Sequence, residues 1–257
     1  MLLPPLYPII DFSCFAAQPD PITALVRYAE ELIAAGATLI QLRDKSQPEQ
    51  PRRFLSCARE LRRVTLDRAT LIINDRVDIC LAADADGVHL GQDDLSPAAA
   101  RRIFDSVESH APGVLTNGTP TQWVPHPFAA QPTQSSKLPG ERVGGQTAVT
   151  TNKKLLIGFS THNLSQVIEA DALPIDYIAI GPVFATGSKA NPDPVVGLEG
   201  VRQARRVTQK PLVAIGGITR QNCSQVKAAG GADAVAVISD LLESPAKAVA
   251  DFLRVLG

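Results

Sequence analysis

The chain has 257 residues, enough to bury the core of one large α/β domain or of two small ones. Its 25 Lys and Arg balance 26 Asp and Glu, so no overall field draws it to nucleic acid or an anionic membrane, and any bound anion must be held locally. Cys14, Cys57, Cys80 and Cys223 are too scattered for a zinc or redox motif, the proline-broken N-terminus does not read as a signal peptide, and no apolar run reaches membrane-span length, all of which predicts a cytoplasmic protein with reduced thiols.

Short aliphatic or β-branched runs recur along the chain with helical patterns between them. The first, Leu6–Ile10, precedes Ile22, Leu25, Val26, Ala29, Leu32 and Ile33 at helical spacing, and Gly36 ends that helix. Thr38–Leu42, Thr70–Ile73 and Gly87–Leu90 follow as strands, and Ser96-Pro97 sets an N-cap hydroxyl ahead of a helix-starting proline. From about Ser106 to Lys153 the periodicity lapses. Pro112, Pro120, Pro125, Pro127, Pro132 and Pro139 stand there among Thr, Gln, Ser and Gly, which predicts a low-complexity, flexible insertion with too little apolar surface to offset its ordering entropy. Trp123, in the run WVPHPF, reads as a solvated aromatic or as a docking motif. Strands resume at Leu155–Phe159, Tyr177–Ile180, Pro211–Ile215 and Ala234–Val237, and Ser244-Pro245 opens the last helix. Eight such runs, apolar on both sides and alternating with helices, predict a single (β/α)₈ TIM-barrel domain over residues 1–257, interrupted at about 106–153.

In such a barrel the residues that follow each strand converge on one mouth. The polar motifs fall there: QLRDK (Gln41–Lys45), NDR (Asn74–Arg76), GQDD (Gly91–Asp94), FST (Phe159–Thr161), GPVFATGSK (Gly181–Lys189), GGI (Gly216–Ile218) and Ile238-Ser239 close successive strands. Asp75 and Asp94 supply two hard oxygen ligands on adjacent strands, suited to Mg²⁺ with water and phosphate oxygens completing the shell. Arg43, Lys45 and Lys189 add positive charge, and the Gly216-Gly217 and Ile238-Ser239 turns match the place where barrels hold a phosphate by backbone N–H groups. Two anion sites at one mouth predict two small phosphorylated substrates and group transfer. Singly, each motif has a plainer reading: Asp75 as the cap of a helix near Val77, Arg43 and Lys45 as solvated charges, Gly-Gly as a turn, His89 as an inward structural histidine. Their joint occurrence at consecutive strand ends favours a site.

QLRDK, IINDRVD, ADGVHLGQDD, GFSTHN, DYIAIGPVFATGSK, VAIGGIT and AVAVIS, in this order, resemble the motif series of thiamine phosphate synthases over residues 6–105 and 155–251. The resemblance implies a transferase that joins hydroxymethylpyrimidine diphosphate to a thiazole phosphate with loss of pyrophosphate, through a carbocation-like state. By the same resemblance Gln41, Leu42, Arg43, Asp44, Lys45, Asn74, Ser160 and Lys189 line the pyrimidine diphosphate pocket, and Arg43, Lys45, Ser160 and Lys189 take part in catalysis. Asp75 and Asp94 match the Mg²⁺ ligands, and Thr186, Gly187, Ser188, Gly217, Ile238 and Ser239 hold the thiazole phosphate. Ser188 stands where many members have Thr. Two alternatives are a thiazole tautomerase, in which His162 would move a proton, and a non-catalytic phosphate-ligand sensor. The sequence does not set the oligomeric state.

Overall fold

The computed structural model describes residues 2–45, 50–110, 154–187 and 193–257. The predicted insertion with Trp123, and Ser188 and Lys189, lie outside these residues. Strands β1 (Leu6–Asp11), β2 (Leu39–Arg43), β3 (Thr70–Asn74), β4 (Gly87–Leu90), β5 (Leu156–Thr161), β6 (Tyr177–Ile180), β7 (Leu212–Ile215) and β8 (Ala234–Val237) form a closed barrel in sequence order. Every pair is parallel, and β8 closes on β1 with Tyr7 opposite Ala236. Helices α1 (Pro21–Ala34), α2 (Pro51–Thr65), α3 (Val77–Ala82), α4 (Pro97–His110), α5 (Leu164–Asp171), α6 (Gly197–Val207), α7 (Cys223–Ala229) and α8 (Pro245–Leu256) follow the strands in turn.

Each predicted strand run is a strand, with ends shifted by at most two residues. In α1 the Asp20 carboxylate accepts the Thr23 N–H, Pro21 occupies the first turn, and Leu25, Ala29 and Leu32 are buried. Gly36, at φ +107°, turns the chain into β2. Helix α4 runs on to His110, past the Ser106 at which sequence periodicity lapses. Ser244 sits at the N-cap of α8, but its hydroxyl makes no capping bond. Among the described residues no helix is long and apolar enough to cross a membrane.

Strand pleating sorts the side chains into two cores. Ile40, Leu42, Leu71, Ile73, Val88, Leu90, Ile157 and Ile178 face outward onto the helices, whereas Tyr7, Ile9, Leu39, Ile72, Tyr177, Ala179, Val213, Ala234 and Ala236 fill the interior. This alternation carries the inward positions up to the mouth.

The opposite rim is tied by one device used three times. Asp86, Asp176 and Asp233 immediately precede β4, β6 and β8, and their carboxylates accept the backbone N–H of Leu71, Ile157 and Leu212 on the preceding strand at 2.7, 2.8 and 2.7 Å. Each also receives an arginine from the helix before that strand: Arg62 at 3.1 Å, Arg101 at 2.6 Å and Arg205 at 2.9 Å. One carboxylate thus fixes the register of two strands and a helix. Asp86 is the most enclosed of the three, with a side chain 2% exposed. Asp86→Ala would leave the Leu71 N–H and the Arg62 guanidinium short of a partner in a dry place, at a cost of about 3 kcal/mol. Urea unfolding of the variant should show this loss, and a change below about 1 kcal/mol would mean that water replaces the carboxylate freely.

Candidate active site

The mouth of the barrel opens into a cavity of about 510 Å³ that runs down between the strand ends. Gln41 and Arg43 on β2, and Lys45 two residues beyond its end, line this cavity. Leu42, fully buried, turns outward into the helix-facing core, and Asp44 is held by Arg53 at 2.5 Å with a side chain 2% exposed. Neither side chain is brought into the mouth, so the expected run of five consecutive pocket residues resolves into an alternating three.

Asn74 and Asp75 end β3, and Gly91 to Asp94 follow β4, all lining the cavity. Asp75 adopts a left-handed backbone at φ +62°, a conformation that Asp and Asn tolerate better than most residues. The N-cap position of α3 belongs to Arg76, so Asp75 is not the helix cap that its spacing allowed. It faces Lys45, 3.2 Å away, and lies within hydrogen-bonding reach of Asp94. Asp94 also accepts the Gly91 N–H at 2.7 Å, which fixes its carboxylate across the β4 loop. Burial and the Asp94 carboxyl push the Asp75 pKa up to about 6 against the opposing pull of Lys45.

Among the described residues there is no cluster of three or more His, Cys, Asp and Glu side chains suited to a metal. Two adjoining carboxylates nevertheless fit a hard divalent cation whose other ligands are water and phosphate oxygens, the form in which Mg²⁺ commonly binds. Repulsion within the pair is itself the property that a cation would relieve.

Arg43 is anchored from behind by Asp11, at the end of β1, through an ion pair. Asp11 in turn accepts the Ser13 N–H at 3.0 Å and its hydroxyl at 2.6 Å. Sequence reading passed over Asp11 because DFS follows the first strand without an evident motif. Position alone, an acid at the first strand end opposite Arg43 in register, was the available signal.

Ser160 on β5 lines the cavity beside His89 of β4, whose Nε2 lies 2.8 Å from the Ser160 Oγ. His89 is buried, with its Nδ1 3.1 Å from the Tyr177 hydroxyl. Burial lowers its pKa to about 4, the effect of Asp94 opposing and that of Lys45 adding, so the ring is neutral near pH 7. His162 lies at the rim with its Nδ1 2.9 Å from the Gly181 carbonyl.

The far side of the mouth is built from turns. Gly216 and Gly217 have φ of +97° and +64°, and a Cβ on Gly217 would come within 2.5 Å of the Ala185 carbonyl oxygen. Glycine therefore lets the β7 turn pack against the β6 loop that carries Thr186. Asn222 donates to the Gly217 carbonyl at 2.9 Å, and Arg220 ties this loop to Asp240 after β8 with bonds of 2.7 and 3.0 Å. Thr186, Gly217, Ile238 and Ser239 line the cavity here, while Gly187 stands outside its wall.

The family model described as thiamine monophosphate synthase matches residues 12–108 and 145–241. A thiamine-phosphate synthase of Koribacter versatilis is 42% identical over 254 residues, covering 99% of this chain and 96% of that protein. One from Methanoregula boonei is 38% identical over 213 residues, 82% of this chain and 76% of the relative. The solved thiamine phosphate pyrophosphorylase of Pyrococcus furiosus superposes with a TM-score of 0.68 at 27% identity, covering 98% and 95% of the two chains. These likenesses lend no support to the tautomerase or sensor readings.

The raised Asp75 pKa has a consequence for folding. Near pH 5 the native chain binds a proton at Asp75 that the unfolded chain, with an ordinary Asp pKa of about 3.9, does not. The stability linked to this site in metal-free protein is therefore full below about pH 4 and is lost as pH rises through the folded-state pKa of about 6. Asp75→Asn removes the titration and keeps a side chain that tolerates the left-handed backbone. In EDTA, its unfolding midpoint should decline less than the parent's between about pH 4 and pH 7. An identical decline would mean that Asp75 is already ionised at the acid end.

Proposed function

The chain belongs to the thiamine monophosphate synthase family, and from that premise we propose that its mouth transfers the pyrimidinylmethyl group of 4-amino-2-methyl-5-(diphosphooxymethyl)pyrimidine to thiazole ethyl phosphate, or to its carboxylated form, with release of pyrophosphate. The observation that carries this reading is the division of one cavity into two anion-holding sectors. Cations and paired carboxylates occupy the ends of β2 to β4, and glycine turns occupy the ends of β7 and β8.

In the first sector Arg43 and Lys45 bind the diphosphate, and Lys189 joins them by family resemblance. Asp75 and Asp94 would hold Mg²⁺, which when bound neutralises charge building on the leaving pyrophosphate. Gln41, Asn74 and Ser160 hold the pyrimidine ring. The C–O bond breaks with its electron pair going to pyrophosphate, and the ring stabilises the cationic methylene. Ile9, Ala179, Val213 and Ala236 line the cavity below with apolar surface, which keeps water from capturing that centre.

In the second sector the Gly216-Gly217 and Ile238-Ser239 turns, with Thr186, hold the thiazole phosphate through backbone N–H groups and hydroxyls, and Gly187 and Ser188 join them by family resemblance alone. The thiazole nitrogen supplies the electron pair for the new C–N bond, so the protein's task is alignment more than proton transfer. No covalent enzyme intermediate is required.

Purified full-length protein given both substrates and Mg²⁺ should form thiamine phosphate and pyrophosphate in equal amounts. Asp75→Asn and Asp94→Asn should each lower turnover by about a hundredfold or more with native circular dichroism. Near-normal turnover of either variant at limiting Mg²⁺ would remove that residue from the ligand set.

A further inference from the structure

Five side chains cross the floor of the cavity in single file, and the central three have no part in the chemistry above. Gln41 on β2 donates its Nε2–H to the Tyr7 hydroxyl on β1 at 2.9 Å. The Tyr7 and Tyr177 hydroxyls meet across the barrel at 2.9 Å, Tyr177 reaches His89 Nδ1 at 3.1 Å, and His89 Nε2 reaches the Ser160 hydroxyl at 2.8 Å. Tyr7 and Tyr177 are 1% and 0% exposed and His89 7%, so each polar atom depends on its neighbour in the file. Gly158 leaves the room for this contact, since a Cβ there would lie 2.1 Å from the Tyr177 ring and 2.5 Å from His89 Nδ1.

A hydroxyl has one proton to donate and a neutral imidazole has one ring N–H. Because Tyr7 and Tyr177 are buried, each of their protons must be used inside the file, and on that condition the first bond sets the direction of the others. With the Gln41 amide as donor at the head, Tyr7 donates to Tyr177, Tyr177 donates to His89 Nδ1, and the His89 Nε2–H donates to Ser160 Oγ. The Ser160 hydroxyl accepts within the file and is left to donate outward, into the cavity that it lines.

We propose that Tyr7, Tyr177 and His89 are positioning residues that fix the Ser160 hydroxyl as a hydrogen-bond donor toward the ligand. Such a donor favours a ligand that presents an acceptor at this point, an unprotonated ring nitrogen in the case of a nitrogen heterocycle, and disfavours one that presents N–H. Naming the aminopyrimidine as that heterocycle rests on the function proposed above. The polarity of the file does not.

Nitrogen-15 NMR of histidine-labelled, ligand-free, full-length protein at about pH 8 reads the polarity directly, because the two neutral tautomers have distinct ring-nitrogen shifts. The His89 signals are identified by their absence from His89→Gln. The Nε2–H tautomer is expected, and the Nδ1–H tautomer would reverse the file and overturn the proposal. Ser160→Ala should lower kcat/KM for the pyrimidine diphosphate about tenfold, the worth of one hydrogen bond, with the KM for the thiazole phosphate unchanged. Tyr177→Phe should release the His89 tautomer preference and lower the same ratio about threefold, and in combination with Ser160→Ala it should add no further loss. Independent, multiplying losses would show that Tyr177 serves the fold and not Ser160. If Tyr177→Phe does not fold, Tyr7→Phe breaks the file one link further back and is read in the same way. A parent protein that makes no thiamine phosphate would sink the proposed function and leave the tautomer measurement to decide the file.

Discussion

A closed parallel sheet has no edge, so every second side chain of all eight strands must be packed into one narrow interior. In this barrel small side chains line part of that space, with Ala179, Ala234, Ala236 and Gly158 on β5, β6 and β8. Two tyrosines span what they leave. Because Tyr7 and Tyr177 carry hydroxyls, the filling is not neutral: buried hydroxyls need partners, and the partners lie one layer up, in Gln41 and His89. The packing of the floor thereby fixes the orientation of groups that line the ligand cavity.

The same pleat that fills the floor sorts the mouth. QLRDK shows this most clearly, because its chemistry tempts a reader to take all five residues as pocket wall. A strand cannot deliver five in a row, and the structure turns Leu42 into the outer core and Asp44 toward Arg53. Alternation was legible in the sequence and would have separated them. The eight strands were legible too, since parallel strands buried on both faces leave continuous aliphatic runs. Other features were not readable in this way. Tyr7 and Tyr177 are 170 positions apart, and nothing local in YPII or DYIAI marks either hydroxyl as one end of a bond. Asp11 looked like a loop residue until β1 and β2 were set in register, and Asp75 could have been a helix cap until its left-handed backbone aimed it at Lys45 and Asp94.

The two rims of the barrel use similar residues to different ends. At the lower rim Asp86, Asp176 and Asp233 each accept a strand N–H and an arginine, so each carboxylate is fully matched and its charge serves register. At the mouth Asp75 and Asp94 face each other with one half-exposed lysine beside Asp75. A carboxylate held by both a strand N–H and an arginine serves the fold, whereas two carboxylates that share one lysine leave negative charge available to a ligand. That contrast separates the structural aspartates from the candidate metal ligands more securely than residue type could.

The charge of the mouth also bears on how its ligands would bind. Asp75, Asp93, Asp94 and Asp193 line the cavity, with Asp11 behind them, against Arg43 and Lys45 among the described residues. Both cations are already paired, Arg43 with Asp11 and Lys45 with Asp75. A diphosphate arriving alone would have to take those cations from carboxylates, an exchange that gains little in a partly dry site. A divalent cation held by Asp75 and Asp94 would neutralise the pair and would loosen Lys45 from Asp75, 3.2 Å away, for use by the diphosphate. If the pair holds a metal, the acids that would repel a diphosphate when bare would favour joint binding of metal and diphosphate, each raising the affinity for the other by the same factor.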